Sequence, residues 1–279
     1  MRIHAFADEA SPSLAGQITA MKRNGLQGVE MRNVDGGNAT DLPLARAREI
    51  RKILADEGLC VWALGSPIGK IAIDSDAAGH AAHLDRFRHA LEVTEALGSR
   101  RIRMFSYYIP QNDDPAAWKQ AVLDRMGELL RAAEGSGILL CHENEKGIYG
   151  DNAARCLDLL TAEPRLRAVF DPANFVQCGQ DTWEAWELLR DRIDYLHIKD
   201  ALASGEVVPA GKGIGHVKEI TADWIARGGD AATVEPHLRV FDGLAQLERG
   251  GERSGISQSY PTPDAAFDAA CAAFRAILG

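Results

Sequence analysis

The chain has 279 residues, 46% hydrophobic and 25% charged, a composition ordinary for a folded globular protein and too apolar for a disordered one. Its formal net charge of -9, from 31 Lys+Arg against 40 Asp+Glu, argues against nucleic acid as a partner, because a phosphate backbone rewards clustered cations. No apolar stretch approaches the ~20 residues of a membrane span, no signal peptide is visible, and the five cysteines (Cys60, Cys141, Cys156, Cys178, Cys271) form no C-x-x-C pair, so no membrane partner, reduced thiols and a cytoplasmic location are expected.

The predicted elements alternate along the chain. A strand near 3–7 leads to a helix at about 13–24, one near 27–31 to a helix at 43–57, one near 59–64 to 77–97, and one near 101–105 to 115–135. The second half continues with a strand near 138–142 and a helix at 151–161, then 167–170 and 181–191, 194–198 and 217–227, and 232–235 and 263–278. The strand-like runs are continuously apolar, as parallel strands covered on both faces should be. Gly25, Gly58, Gly98 and Gly137, spaced by 33, 40 and 39 residues, each close a helical pattern and precede an apolar run. Glycine just past a helix end takes the left-handed conformation without strain. Ser11-Pro12, Asp114-Pro115 and Thr262-Pro263 each place a capping side chain before a proline at a first helical position.

Eight strand–helix units of about 35 residues predict an α/β fold: a single (β/α)8 TIM barrel that takes residues 1–279 as one domain. A doubly wound open sheet is the alternative, disfavoured because no G-x-G-x-x-G follows the first strand. Gly211-x-Gly213-x-Gly215 comes late and reads as a flexible loop rather than a phosphate cradle. Helix 263–278, rich in alanine, suits tight packing on the barrel or on a partner.

In such a barrel, catalytic groups sit at the C-terminal ends of the strands. Glu143, Asp171, His197 and Glu235 fall at the ends of predicted strands five, six, seven and eight. Neighbouring strands lie roughly 4.8 Å apart, so four such tips can converge on one ion. Three carboxylates and one imidazole make a mainly hard oxygen set, suited to one divalent metal ion, Mn2+, Mg2+ or Co2+, with Zn2+ also admissible. Glu145, two residues on, competes with Glu143 for the ligand role; Glu143 is preferred because it sits where the apolar run stops.

His142-Glu143-Asn144-Glu145, Phe170-Asp171-Pro172-Ala173-Asn174, His197-Ile198-Lys199-Asp200 and Val234-Glu235-Pro236-His237 carry a resemblance. Phe6-Ala7-Asp8-Glu9, Val29-Glu30-Met31-Arg32 and Ser66-Pro67-Ile68-Gly69-Lys70 extend it into the first half. The chain resembles the xylose-isomerase-like TIM barrels, the superfamily of sugar isomerases, sugar epimerases, inosose dehydratases and endonuclease IV, and in particular their sugar phosphate isomerase/epimerase subgroup. The resemblance implies an enzyme acting on a small ketose or sugar derivative. It implies metal binding by Glu143, Asp171, His197 and Glu235, with Glu143 and Glu235 as acid/base residues on opposite faces of the substrate. A metal that polarises a carbonyl lets a carboxylate of modest basicity take the neighbouring proton.

Arg32, Lys70, Asn174, Lys199 and His237 are the candidate substrate-binding residues. Asp8 and Glu9 are placed to orient Arg32 by ion pairing. Trp62 and Phe105 read as barrel packing. Two other activities share the site pattern: an inosose-type dehydratase, and a sugar-binding barrel without turnover. A three-metal nuclease is disfavoured, because Ser66, Phe105 and Asn174 stand where further histidines would be needed. These barrels commonly dimerise, so a homodimer is compatible with the sequence.

Overall fold

The computed structural model describes residues 1–241, 255 and 260–279. Eight strands form the inner layer: β1 (Arg2–Ala5), β2 (Gly28–Met31), β3 (Cys60–Gly65), β4 (Arg101–Met104), β5 (Leu139–Glu143), β6 (Arg167–Phe170), β7 (Ile193–Ile198) and β8 (Ala231–Val234). Each pairs in parallel with the next, and β1 pairs with β8 to close the ring. Parallel strands force a crossover after each, and the crossovers are helices: α1 (Leu14–Arg23), α2 (Leu44–Asp56), α3 (Ala77–Ala96), α4 (Pro115–Ala132), α5 (Ala153–Ala162), α6 (Thr182–Leu189), α7 (Val217–Ala226) and α8 (Pro263–Leu278). The fold is a (β/α)8 barrel. None of the described helices is long and apolar enough to cross a membrane.

Local chemistry sets the helix boundaries. Asp114 and Thr262 cap α4 and α8 by accepting the N–H groups of Ala116 and Ala265, with proline at the first helical position in both. The first helix departs from expectation. Its cap is Ser13, which accepts from Gly16, whereas Ser11 accepts from Ser13 one turn earlier. Asp35 takes the Leu14 N–H from outside, which fixes the start at that point. At the C-terminal ends, Gly25, Gly58, Gly98 and Gly137 all have positive φ, between 58° and 74°.

The interior is layered. At the N-terminal end of the barrel Trp62 stacks on His4, ring centroids 4.7 Å apart, and the Arg2 and Arg101 guanidiniums lie 4.6 and 3.9 Å from its ring. Burial, with help from these arginines, lowers the His4 pKa to about 3, so the stack carries a neutral imidazole. Trp62 is therefore a floor, as the sequence implied. Phe267 and Phe274 of α8 are fully buried against the barrel beside Ala266 and Ala270. Burying each ring stabilises the last helix by roughly 1.5–3 kcal/mol. The exposed pairs of Arg23 with Asp264 and Asp268 add far less, because solvent screens them.

Two features after strand ends go beyond the sequence reading. Asp171-Pro172 opens a short helix, Pro172–Gln177, in addition to the eight crossover helices. The loop after β7 forms a small antiparallel ladder, Asp200–Ala201 with Val207–Val208. There the glycine-rich segment is pinned rather than loose: Gly211, Gly213 and Gly215 all donate N–H bonds to the Asp200 carboxylate at 2.9 Å. An internal carboxylate fills the cradle that an external anion would need.

Candidate metal centre

The C-terminal ends of β5 to β8 bring four donors together. Glu143 is the last residue of β5, Asp171 follows β6, His197 lies in β7, and Glu235 follows β8. One ligand atom of each lies within 4.8 Å of all the others, and all four residues are buried. His197 Nδ1 is 3.0 Å from Glu143 Oε1, 3.5 Å from Glu235 Oε2 and 3.8 Å from Asp171 Oδ2. Glu145 lies outside the cluster and pairs with Lys70 at 3.2 Å.

Each donor is held by a neighbour. Asp171 caps the short helix, accepting the Asn174 N–H at Oδ1 at 2.9 Å. That turns Oδ2 inward, where it is buried without a hydrogen bond of good geometry. Asn144 ties β5 to β6: its amide donates to the Asp171 carbonyl and accepts the Asp171 N–H, both at 2.9 Å. Asn174 donates to Glu143 Oε1 at 3.3 Å and to the Asn144 carbonyl at 2.9 Å. Lys199 Nζ sits between two carboxylates, 2.9 Å from Asp171 Oδ2 and 2.9 Å from Glu235 Oε2.

Arg32 is the hub of the β1–β2 side. It donates to Asp8 at 2.9 and 3.1 Å, to Glu9 at 3.1 Å and to Glu235 at 3.4 Å. His237, in the left-handed region at φ 43°, places Nδ1 3.1 Å from Glu9 and 3.5 Å from Glu235, and its N–H donates to Glu9 Oε2 at 2.7 Å. The four donors and the Arg32, Asn174, Lys199 and His237 side chains thus share one network. Lys70 faces it from the β3–β4 side across the same cavity without touching the four donors, its Nζ 4.4 Å from the Phe105 ring centroid. Phe105 lines that cavity as well as packing beneath it, a role the sequence reading did not give it.

Sequence reasoning passed over two buried residues. Glu30, inside β2, accepts His197 Nε2–H at 3.1 Å and the Tyr195 hydroxyl at 2.8 Å. It fixes the imidazole with Nδ1 facing the carboxylates. Arg103, inside β4, places Nε 3.1 Å from Glu143 Oε2. Both sit in the middle of apolar-looking runs, one layer below the strand tips. An ionisable residue within such a run is the signal that marks them.

The charges settle one another. Burial opposes ionisation of Glu143, yet His197 and Arg103 outweigh it and hold its pKa at about 2. Burial likewise opposes Glu235, but Lys199 and His237 keep it well below the usual carboxylate range. Asp171 goes the other way: burial, opposed by Lys199 but reinforced by Glu235 and Glu143, raises it to about 7. Burial works against the His197 cation, and Glu143 and Glu30 overcome it, so the pKa lies well above the ordinary value. Two glutamates are therefore ionised at neutral pH beside an aspartate that holds its proton more readily.

The fold recurs among solved structures. An L-ribulose 3-epimerase superposes with a TM-score of 0.77 at 18% identity, over 100% of this chain and 94% of that one. The probable 3-DHS dehydratase AsbF of Bacillus anthracis gives 0.74 at 16% identity, over 100% and 99%. The IOLI protein with a binding zinc atom gives 0.73 at 16%, over 100% and 98%. At such identities the likeness speaks to the fold. No curated protein matches the sequence significantly. The model of the family described as xylose isomerase-like TIM barrel matches residues 18–224, most of the chain. On that match, carried by a closed eight-stranded barrel, the chain belongs to the xylose isomerase-like TIM barrel family.

Proposed function

We propose that the protein is a divalent-metal-dependent isomerase or epimerase of a small ketose or sugar derivative. The observation that carries this is the buried four-donor cluster, in which two ionised glutamates enter from β5 and β8, at opposite ends of the ligand arc. Glu143, Asp171, His197 and Glu235 fit a hard divalent ion such as Mn2+, Mg2+ or Co2+, and Zn2+ is the further candidate. The inward Asp171 Oδ2 is buried beside the Lys199 ammonium, 2.9 Å away, without a hydrogen bond of good geometry, which leaves a lone pair for an ion. When bound, the ion supplies Lewis-acid polarisation of a carbonyl and its neighbouring hydroxyl.

The protein's own residues then divide the work. Glu143, charged at neutral pH, takes the proton from the carbon beside the carbonyl; the C–H electron pair moves towards the carbonyl oxygen. Glu235, a carboxylate at rest, first takes a proton from water and passes it to the opposite face, which inverts that carbon; the proton on Glu143 is released to solvent, so both carboxylates regain their starting charge. Arg103 and Arg32 hold the two carboxylates apart and keep them ionised. Asn174, Lys199 and His237 line the cavity with hydrogen-bond donors for sugar hydroxyls. The likeness to an L-ribulose 3-epimerase supports this reading at the level of fold.

The experiment is solvent exchange. A panel of free ketoses is incubated with the protein and Mn2+ in D2O, and deuterium at the carbon beside the carbonyl is followed by NMR. Wild type exchanges at least one ketose, while Glu143→Gln and Glu235→Gln are slower by about 10²–10⁴. Absence of exchange from every ketose in wild type would remove proton abstraction from the account.

One observation favours dehydration as a second reading. The Lys199 ammonium, 2.9 Å from two of the carboxylates, is a charged hydrogen-bond donor able to stabilise a departing β-hydroxyl, a role that epimerisation does not need. Loss of water, seen as an enone or dione absorbance, distinguishes the two.

A further inference from the structure

The cavity above the four donors has a volume of about 40 Å³. That is room for about three water molecules, at ~10–15 Å³ each, and too little for a whole sugar. A second cavity of about 340 Å³ adjoins it and shares Arg32, Lys70, Arg103 and Phe105 with it. The outer cavity is adjoining space for the atoms of a substrate that do not reach the donor cluster. Among the described residues its wall carries four cationic side chains, Arg32, Lys70, Arg86 and Arg103, against one carboxylate, Asp41.

Most of that charge is answered within the protein. Arg86 makes a two-pronged pair with Asp41 at 2.8 and 2.6 Å, and Arg32 is held by Asp8 and Glu9. Arg103 differs. Its side chain is only 4% exposed. Nη1 donates to the Ser66 carbonyl at 2.9 Å, Nε is buried without a well-formed hydrogen bond, and Nη2 has no hydrogen bond among the described residues. Space is kept beside Nη2 by Gly65, where a Cβ would come within 3.3 Å of that nitrogen. The counter-charges within reach are Glu143 at 3.1 Å and Glu30 at 3.7 Å from Nε, both already shared with His197 and both paired through Nε rather than Nη2. A divalent ion that takes Glu143 as a ligand leaves Arg103 a buried guanidinium with its charge less well matched, a costly state. An anion in the outer cavity would match it again.

We propose that the substrate carries an anionic group, a carboxylate or a phosphate, and that Arg103 binds this group in the outer cavity with Lys70, which shares the Phe105 ring with it. The guanidinium and ammonium lie 4.6 and 4.4 Å from that ring's centroid, so both cations border one place. Anion and metal then bind with mutual reinforcement, since each relieves a charge that the other leaves exposed. This rests on the function proposed above, and deepens it by naming the charge of the substrate.

The test uses three small probes on the Mn2+-loaded protein by titration calorimetry: glycerol, D-glycerate and glycerol 3-phosphate. At least one anion binds tenfold or more tightly than glycerol, the effect of one charge-assisted hydrogen bond of about 1.5–3 kcal/mol. Which anion it is separates a carboxylate from a phosphate substrate. With Mn2+ kept saturating for each variant, Arg103→Gln removes the anion's advantage over glycerol, and Arg103→Lys restores part of it. The anion also binds more tightly with Mn2+ than without. Equal binding of all three probes in wild type overturns the proposal, as does an anion advantage that survives Arg103→Gln. Should Arg103→Gln fail to fold, Lys70→Met serves instead: the advantage falls several-fold if the proposal holds, and stays whole if it does not. Deuterium exchange is read separately, on neutral ketoses and on keto sugars that bear a carboxylate or a phosphate. Missing exchange from all of them, with an intact, Arg103-dependent anion site, would sink the isomerase reading and spare this one.

Discussion

Glu30 offers the sharpest perturbation, because it supports His197 without facing the cavity above it. Glu30→Met keeps the volume and removes both acceptors. Two buried donors, the Tyr195 hydroxyl and His197 Nε2–H, now lack partners. Each unpaired buried donor costs about 1–3 kcal/mol, so the variant loses about 2–6 kcal/mol in all. At about 2 °C per kcal/mol for a chain of this length, the melting temperature of the metal-free protein falls by roughly 4–12 °C. The second effect is on metal affinity. With Nε2 no longer anchored, the imidazole is free to hold its proton on Nδ1 against Glu143, 3.0 Å away, where the lone pair should face the ion. Loss of such a supporting carboxylate weakens metal binding about 10- to 100-fold. Differential scanning calorimetry and Mn2+ titration against a competing chelator read the two effects. Glu30→Gln, whose amide oxygen can still accept from Nε2–H, falls between wild type and Glu30→Met in both. A Met variant that binds Mn2+ within threefold of wild type and melts within 2 °C of it would refute the assigned role of Glu30.

Metal affinity should rise with pH through Asp171 and His197: below about pH 7 the Asp171 carboxyl holds a proton that the ion must displace, and His197, whose pKa lies well above its ordinary value, holds another, so affinity falls by about tenfold per unit for each proton displaced and is still rising above pH 7. A chelator competition from pH 5.5 to 8.5 checks this, and a flat profile would contradict it. Gly150→Ala forces a methyl onto the buried His142 ring and within 3.0 Å of Ser106 Oγ, so thermal unfolding should come about 2–6 °C earlier, for a strain of about 1–3 kcal/mol. Asp114→Ala removes the cap that accepts the Ala116 N–H at 2.9 Å; the loss is about 1 kcal/mol in urea unfolding, with deuterium exchange into ketoses unchanged.

The barrel was legible because its signals are local and repeated. Apolar run and helical pattern alternate eight times, the first four helices are each followed by a left-handed glycine, and each strand boundary falls within two residues of the pattern. What the pattern hid is equally physical. Two-residue ladders such as Asp200–Ala201 with Val207–Val208 carry too few residues to show a period. The Ser11-Pro12 motif looked like a helix start, but Asp35, distant in sequence, fixes the first free N–H two residues later. At the site, the four donors were visible because each ends an apolar run. Glu30 and Arg103 were not, because a barrel interior is layered and a residue in mid-strand points inward as squarely as one at the tip. The sequence shows where a strand stops; it does not show which buried charges meet across the barrel.

The Asn144 amide has a consequence beyond its two hydrogen bonds. By exchanging them with the Asp171 backbone, it extends the β5–β6 ladder one rung past the point where main-chain pairing ends. The spacing of the two strand tips is then set by a side chain cut to a fixed length. The backbones that carry Glu143 and Asp171 are thereby held at one separation. If the site takes a divalent ion, that fixed separation should favour one satisfied by oxygens at about 2.0–2.2 Å over calcium, which needs about 2.3–2.6 Å and more oxygens; comparing Mn2+ and Ca2+ affinities checks this.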